Sequence, residues 1–65
     1  MIIKKLEAGY VLVTAFGALH FSDAGFHKST GYIELEKNNQ LVFVVASSMS
    51  KQFEQAFIAA GGVME

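Results

Sequence analysis

A chain of 65 residues with five Lys, no Arg and six acidic residues carries a net charge of −1, which argues against a dedicated DNA or RNA binder with its basic stripe. The absence of Cys excludes disulfides, thiolate metal sites and cysteine nucleophiles, and 52% hydrophobic against 17% charged residues excludes a disordered chain. So short a chain buries only about 60% of the surface its unfolded form exposes, so the apolar excess predicts one domain over residues 1–65 that self-associates as a homo-oligomer.

Ile2–Leu6 reads as a first strand, turned at Ala8-Gly9 back against Tyr10–Ala15. The uncharged stretch from Ala8 to Ser22 is shorter than the ~20 residues of a spanning helix, and it contains Gly9, Thr14, Gly17 and His20. Lys4 and Lys5 resemble the basic region of a signal peptide, but Glu7 follows them and no small-residue cleavage pattern does. The stretch therefore reads as a long strand, and the expected location is cytoplasmic, with no membrane partner.

Tyr10–Phe16 and Leu41–Ala46 are rich in β-branched and aromatic residues, and Tyr32–Lys37 alternates apolar with charged. Asp23-Ala24-Gly25 fits a three-residue hairpin loop and Asn38-Asn39 a two-residue type I′ turn. These turns set Val13 opposite Leu35, Leu35 opposite Val42, and Gly17 opposite Gly31, where two residues without Cβ let a long ribbon bend. Met49, Phe53, Ala56, Phe57 and Ala60 then form a helical stripe. Ser48 or Ser50 caps its start, and Gly61-Gly62 ends it. The predicted fold is α+β: an antiparallel β-meander of three long strands, with or without a short N-terminal fourth, built on a long bent central hairpin and followed by one C-terminal helix packed on one face.

In that register Ile2, Leu6, Val11, Val13, Ala15, Ile33, Leu35, Val42 and Val44 share the core face, with Lys4 intruding. The opposite face carries Ile3, Tyr10, Leu12, Thr14, Phe16, Tyr32, Leu41, Phe43 and Val45, interrupted by Lys5, Glu7, Glu34 and Glu36. That is too apolar for a solvated face and has the character of an interface. The arm Ala18–Thr30 projects Leu19, Phe21 and Phe26 with few apolar neighbours.

Catalytic and metal chemistry find little support. His20 and His27 point to opposite sides of the expected ribbon, and Lys28 faces His20, so zinc's three or four converging ligands are not assembled; Asp23 reads as a turn residue. His27-Lys28-Ser29-Thr30-Gly31 lacks the spacing and the strand-to-helix context of a phosphate loop. Glu34 and Glu36 share a strand face but have no pocket around them, and solvent or a partner's Lys5 satisfies them. Ser47, Ser48 and Ser50 have no His–acid relay. The reading is a non-enzymatic protein-interaction module, without cofactor or metal, that binds itself and a larger protein as a regulator or inhibitor, the build of a small accessory protein. Its surface is either the mixed face (Tyr10, Leu12, Phe16, Tyr32, Glu34, Phe43) or the ribbon tip (Phe21, Phe26, His27). The alternative is a sheet of low basicity that stacks single-stranded nucleic acid on Tyr10, Phe16, Phe21, Phe26 and Tyr32; five scattered lysines and the absence of Arg weigh against it.

Overall fold

A computed structural model describes residues 1–64, which form six strands and one helix. β1 (Ile2–Lys5), β2 (Tyr10–Thr14) and β3 (Gly17–Phe21) make one antiparallel sheet, and β4 (Asp23–His27), β5 (Tyr32–Lys37) and β6 (Gln40–Val45) a second; α1 (Ser47–Ala59) follows. The class is the expected α+β meander with a C-terminal helix. The strands are shorter and more numerous than expected, because the long central hairpin does not form.

Two turns divide it. Thr14 Oγ1 donates to the Gly17 carbonyl at 2.8 Å and accepts the Phe16 N–H at 3.2 Å, while Gly17 takes φ +133°. A side-chain-closed turn of this kind reverses the chain locally, so Tyr10 pairs with Phe21 and Leu12 with Leu19. Gly31, at φ +76°, lies in the second turn, where its N–H donates to the His27 carbonyl at 2.7 Å. Each glycine thus serves its own turn, and Gly17 does not face Gly31. Asp23-Ala24-Gly25 runs extended within β4, opposite Glu36, Leu35 and Glu34. Burial of Ala24 beneath the helix side of the sheet and two bonds from Ser22 to the Glu36 carbonyl, N–H at 2.7 Å and Oγ at 3.0 Å, override its turn propensity.

The core gathers Ile3, Leu12 and Phe21 from the first sheet, Ala24, Ile33, Leu35 and Val45 from the second, and Phe53 and Phe57 from the helix. Its centre is aromatic. Phe21 lies 5.8 Å from Phe53 and 5.7 Å from Phe57, and Tyr10 meets Phe57 edge-on at 4.7 Å. Burial of each such ring stabilises the fold by about 1.5–3 kcal/mol, and contacts of this geometry add about 0.5–1.5 kcal/mol per pair.

The core face differs from the expected one in two places. In β1 and β2 the central cluster draws on the other face: Ile3, Tyr10 and Leu12 pack in it, while Ile2 and Val13 are exposed; Val11, expected in the core, is buried but lies outside that cluster. Ile2 stands opposite Val13 rather than Ala15, and Ala15 lies in the exposed turn. The inversion moves Lys4 out to solvent and brings Leu12 and Phe21 over the helix. In β6 the Asn38-Asn39 hairpin forms as expected, with φ +54° and +65° and Lys37 opposite Gln40. A bulge then shifts the register, so Phe43 stands opposite Leu35, Val44 opposite Glu34 and Val45 opposite Ile33. Val45 joins the core in place of Val44, and Val42 is also exposed.

The helix follows its stripe, with Phe53 and Phe57 buried and Ala56 and Ala60 packed against the core. Its N-cap is Ala46, with no side-chain cap, so neither Ser48 nor Ser50 performs that role; Ser50 Oγ donates instead to the Ser47 carbonyl at 3.0 Å. The far end matches expectation. Gly61 at φ +99° donates its N–H to the Ile58 carbonyl at 3.0 Å, and the Gly62 N–H reaches the Phe57 carbonyl at 2.8 Å, which together make a Schellman motif.

Candidate functional site: an apolar cleft beside an open strand edge

Leu41-Val-Phe-Val-Val forms a strand because β-branched and aromatic side chains fit a pleated surface. Its position in the sheet order leaves it paired with β5 alone. Among the described residues no strand covers its other edge, so that edge presents unpaired N–H and C=O groups. Leu41, Val42, Phe43 and Val44 are each 39–54% exposed, and no charged residue occurs between Lys37 and Lys51. The other boundary strands carry the residues that discourage pairing: Lys4 and Lys5 in β1, His20 in β3, Asp23 and His27 in β4.

Beside this edge lies a cleft of about 440 Å³. Met1, Leu12, Val13 and Thr14 line one side and Phe43 to Ala46 the other, with Met49 and Gln52 contributed by the helix. Thr14 and Gln52 are its polar side chains, and no ionisable side chain lines it. A smaller hollow of about 250 Å³ lies beside Tyr10, Ser22, Asp23 and Phe57.

Of the residues singled out in the sequence, Leu12 and Phe43 meet in the cleft. Tyr10 and Phe21 belong to the aromatic core instead, with rings stacked at 5.5 Å and Lys5 Nζ 4.9 Å from the Tyr10 centroid. Phe16 is 100% exposed at the β2–β3 turn, apart from Phe26 in β4. His27, Tyr32 and Glu34 share the outer face of the second sheet. There His27 Nε2 lies 2.8 Å from Glu34 Oε1, both side chains well exposed, a pair worth at most about 1 kcal/mol. No ribbon tip joins Phe21 to Phe26 and His27, because the first belongs to one sheet and the others to the second. Of the rings considered for stacking, Tyr10 and Phe21 pack in the core, Phe16 is exposed at the β2–β3 turn, and Phe26 and Tyr32 lie on the second sheet.

Among the described residues no three His, Asp or Glu side chains come together; His20 and His27 sit in different sheets. Asp23 is a strand residue whose Oδ2 accepts from Ser22 Oγ at 3.4 Å. Sequence reasoning missed Met1, Val13, Val44, Ala46, Met49 and Gln52 as lining residues, and it placed Thr14 and Val45 on the mixed face without counting them among its working residues. Val13 and Val44 were assigned to the core by the face inversion and the unforeseen bulge, and Met49 is the exposed first member of a stripe whose other residues are buried or packed against the core. Among the described residues no helix is long and apolar enough to cross a membrane. Comparison with protein-family models, curated proteins and solved structures finds no match to this chain.

Proposed function

We propose that the chain is a non-enzymatic protein-interaction module that recognises an extended apolar segment by adding it as a strand to β6. The observation that supports this is the open β6 edge, four consecutive exposed apolar side chains with no charge to guard them. In strand addition, main-chain hydrogen bonds supply affinity and side-chain pockets supply specificity. The adjoining cleft is within the range of about 300–1,000 Å³ that holds ligand groups, and its lining selects an apolar side chain. Docking of this kind on a larger protein makes the module its regulator or inhibitor.

The test is a fluorescently labelled peptide of the β6 sequence, Gln40 to Ala46, flanked by lysines for solubility and titrated with the protein. Saturable binding is expected, weakened roughly tenfold or more by Val44→Lys, which places a charge on the edge. A peptide that never saturates, or that binds Val44→Lys as tightly, overturns the reading.

A further inference from the structure

We infer that the strand received by β6 is β6 of a second copy, the two running antiparallel about a two-fold axis close to Val44, so that two three-stranded sheets join into one of six strands. The inference rests on the proposed reading of β6 as a docking edge, and it names the occupant.

Three observations select a second copy. The first is charge. Like charges directly opposite each other destabilise a strand pair, and β6 with its flanks from Asn38 to Ser50 contains no charge at all. The nearest acidic side chains, Glu34 and Glu36, lie on β5. Across the joined sheet the two β5 strands stand three spacings apart, about 14 Å, beyond a Debye length of about 8 Å at physiological ionic strength. The chain can thus pair with itself without repulsion, although each copy has net charge −1.

The second is symmetry. An isologous contact requires a patch complementary to itself, and an antiparallel edge meets that requirement when both of its halves are apolar. About an axis at Val44, Val44 faces its own counterpart, Phe43 faces Val45 and Val42 faces Ala46, so reversing the strand again sets apolar against apolar.

The third is area. The chain exposes 4472 Å², whereas folded monomers of 7.1 kDa expose about 4,100 Å². The excess is about half of the ~800 Å² that one partner gives to a standard interface. The exposed side chains of β6 and the cleft lined by Phe43 to Ala46 are adjoining apolar surface.

Sedimentation equilibrium of the intact chain tests this across a wide concentration range, beside Val44→Lys. That variant is expected to keep the fold because Val44 is exposed and the residue opposite it on β5, Glu34, which also meets His27, is not a like charge; far-UV circular dichroism checks it. The expected result is a species of twice 7.1 kDa for the parent, and an association constant lowered roughly a hundredfold in the variant, where like charges meet across the axis. If Val44→Lys does not fold, Val42→Lys takes its place; the introduced lysine then faces Ala46 of the second copy and puts a charge on an apolar seam, so roughly a tenfold loss is expected. A parent that stays at 7.1 kDa overturns the inference. The β6 peptide titration then separates the two ideas: a peptide that binds leaves the docking edge standing without self-pairing, and one that does not removes both. A dimer equally stable in the parent and the variants places the contact elsewhere and overturns the inference, as does a mass that climbs without limit, which a closed two-fold pair forbids.

Discussion

Phe21→Ala is expected to abolish the cooperative fold at 25 °C, or to leave it on the edge of unfolding. The ring is 2% exposed and sits among Tyr10, Phe53 and Phe57 at centroid distances of 5.5, 5.8 and 5.7 Å. Truncation of a buried Phe costs about 3–5 kcal/mol, from lost transfer energy and the cavity left behind. A 65-residue domain has roughly 3–10 kcal/mol to lose, so one substitution removes a third or more. Urea denaturation followed by near-ultraviolet circular dichroism measures it. Phe16→Ala is the matched control. Its ring is wholly exposed, so the same chemical change should stay within about 0.5 kcal/mol. A Phe21→Ala variant as stable as Phe16→Ala would show that the aromatic cluster does not organise the core.

Gly9→Ala carries the next largest effect. Gly9 joins β1 to β2 at φ +94°, and its carbonyl accepts the Leu6 N–H at 2.9 Å. An added Cβ would lie 2.8 Å from the Phe21 carbonyl oxygen, a backbone atom that cannot rotate away. The left-handed conformation alone costs an L-residue about 1–2 kcal/mol, and displacing the neighbouring strand about 1–3 kcal/mol more. The expected outcome is an unfolding free energy lowered by a total of about 2–5 kcal/mol, read as a lower urea midpoint with little change in slope. Gly25→Ala tests the reasoning from the other side. That residue lies in β4 with nothing within 4 Å of its added Cβ, so the change should stabilise by about 0.4–1 kcal/mol through the unfolded state. Equal midpoints for the two variants would contradict this account of Gly9.

How far the fold could be read in advance depended on whether a feature is encoded locally. Asn38-Asn39 is a turn because two residues tolerant of positive φ stand between apolar runs, and the structure places both there. The helix and its end at Gly61-Gly62 were legible for the same reason: a 3.6-residue stripe and a left-handed stop are each complete within one segment. The β2–β3 turn was not, since Thr14-Ala15-Phe16-Gly17 has no Asn, Asp or Pro and Phe16 passes for a strand residue; a Thr hydroxyl makes the reversal. Missing it inverted the core face of β1 and β2. Lys4 carried the available warning, a charge on the supposed core face that vanishes when the face is turned over. The bulge in β6 left no trace in the sequence, because Leu41–Val45 is apolar on both faces and a slip of one residue does not disturb its pattern. The candidate cleft depends on both misread features, so only Leu12 and Phe43 were named for it beforehand.

The sheet order has a kinetic consequence. Each strand hydrogen-bonds only to strands adjacent to it in the chain, so every ladder closes a loop of a few residues and the entropy spent on closure is small. Hairpins of this kind form in microseconds, and a low contact order puts refolding at the fast end for sheet proteins. The helix comes last in sequence and contributes Phe53 and Phe57, without which the two sheets have no shared centre. During that interval β6 is already extended and apolar while its covering partners are absent. Crowded or hot refolding is therefore where this chain is most exposed to misassembly, and the hazard resides in the same five residues that give the folded molecule its open edge.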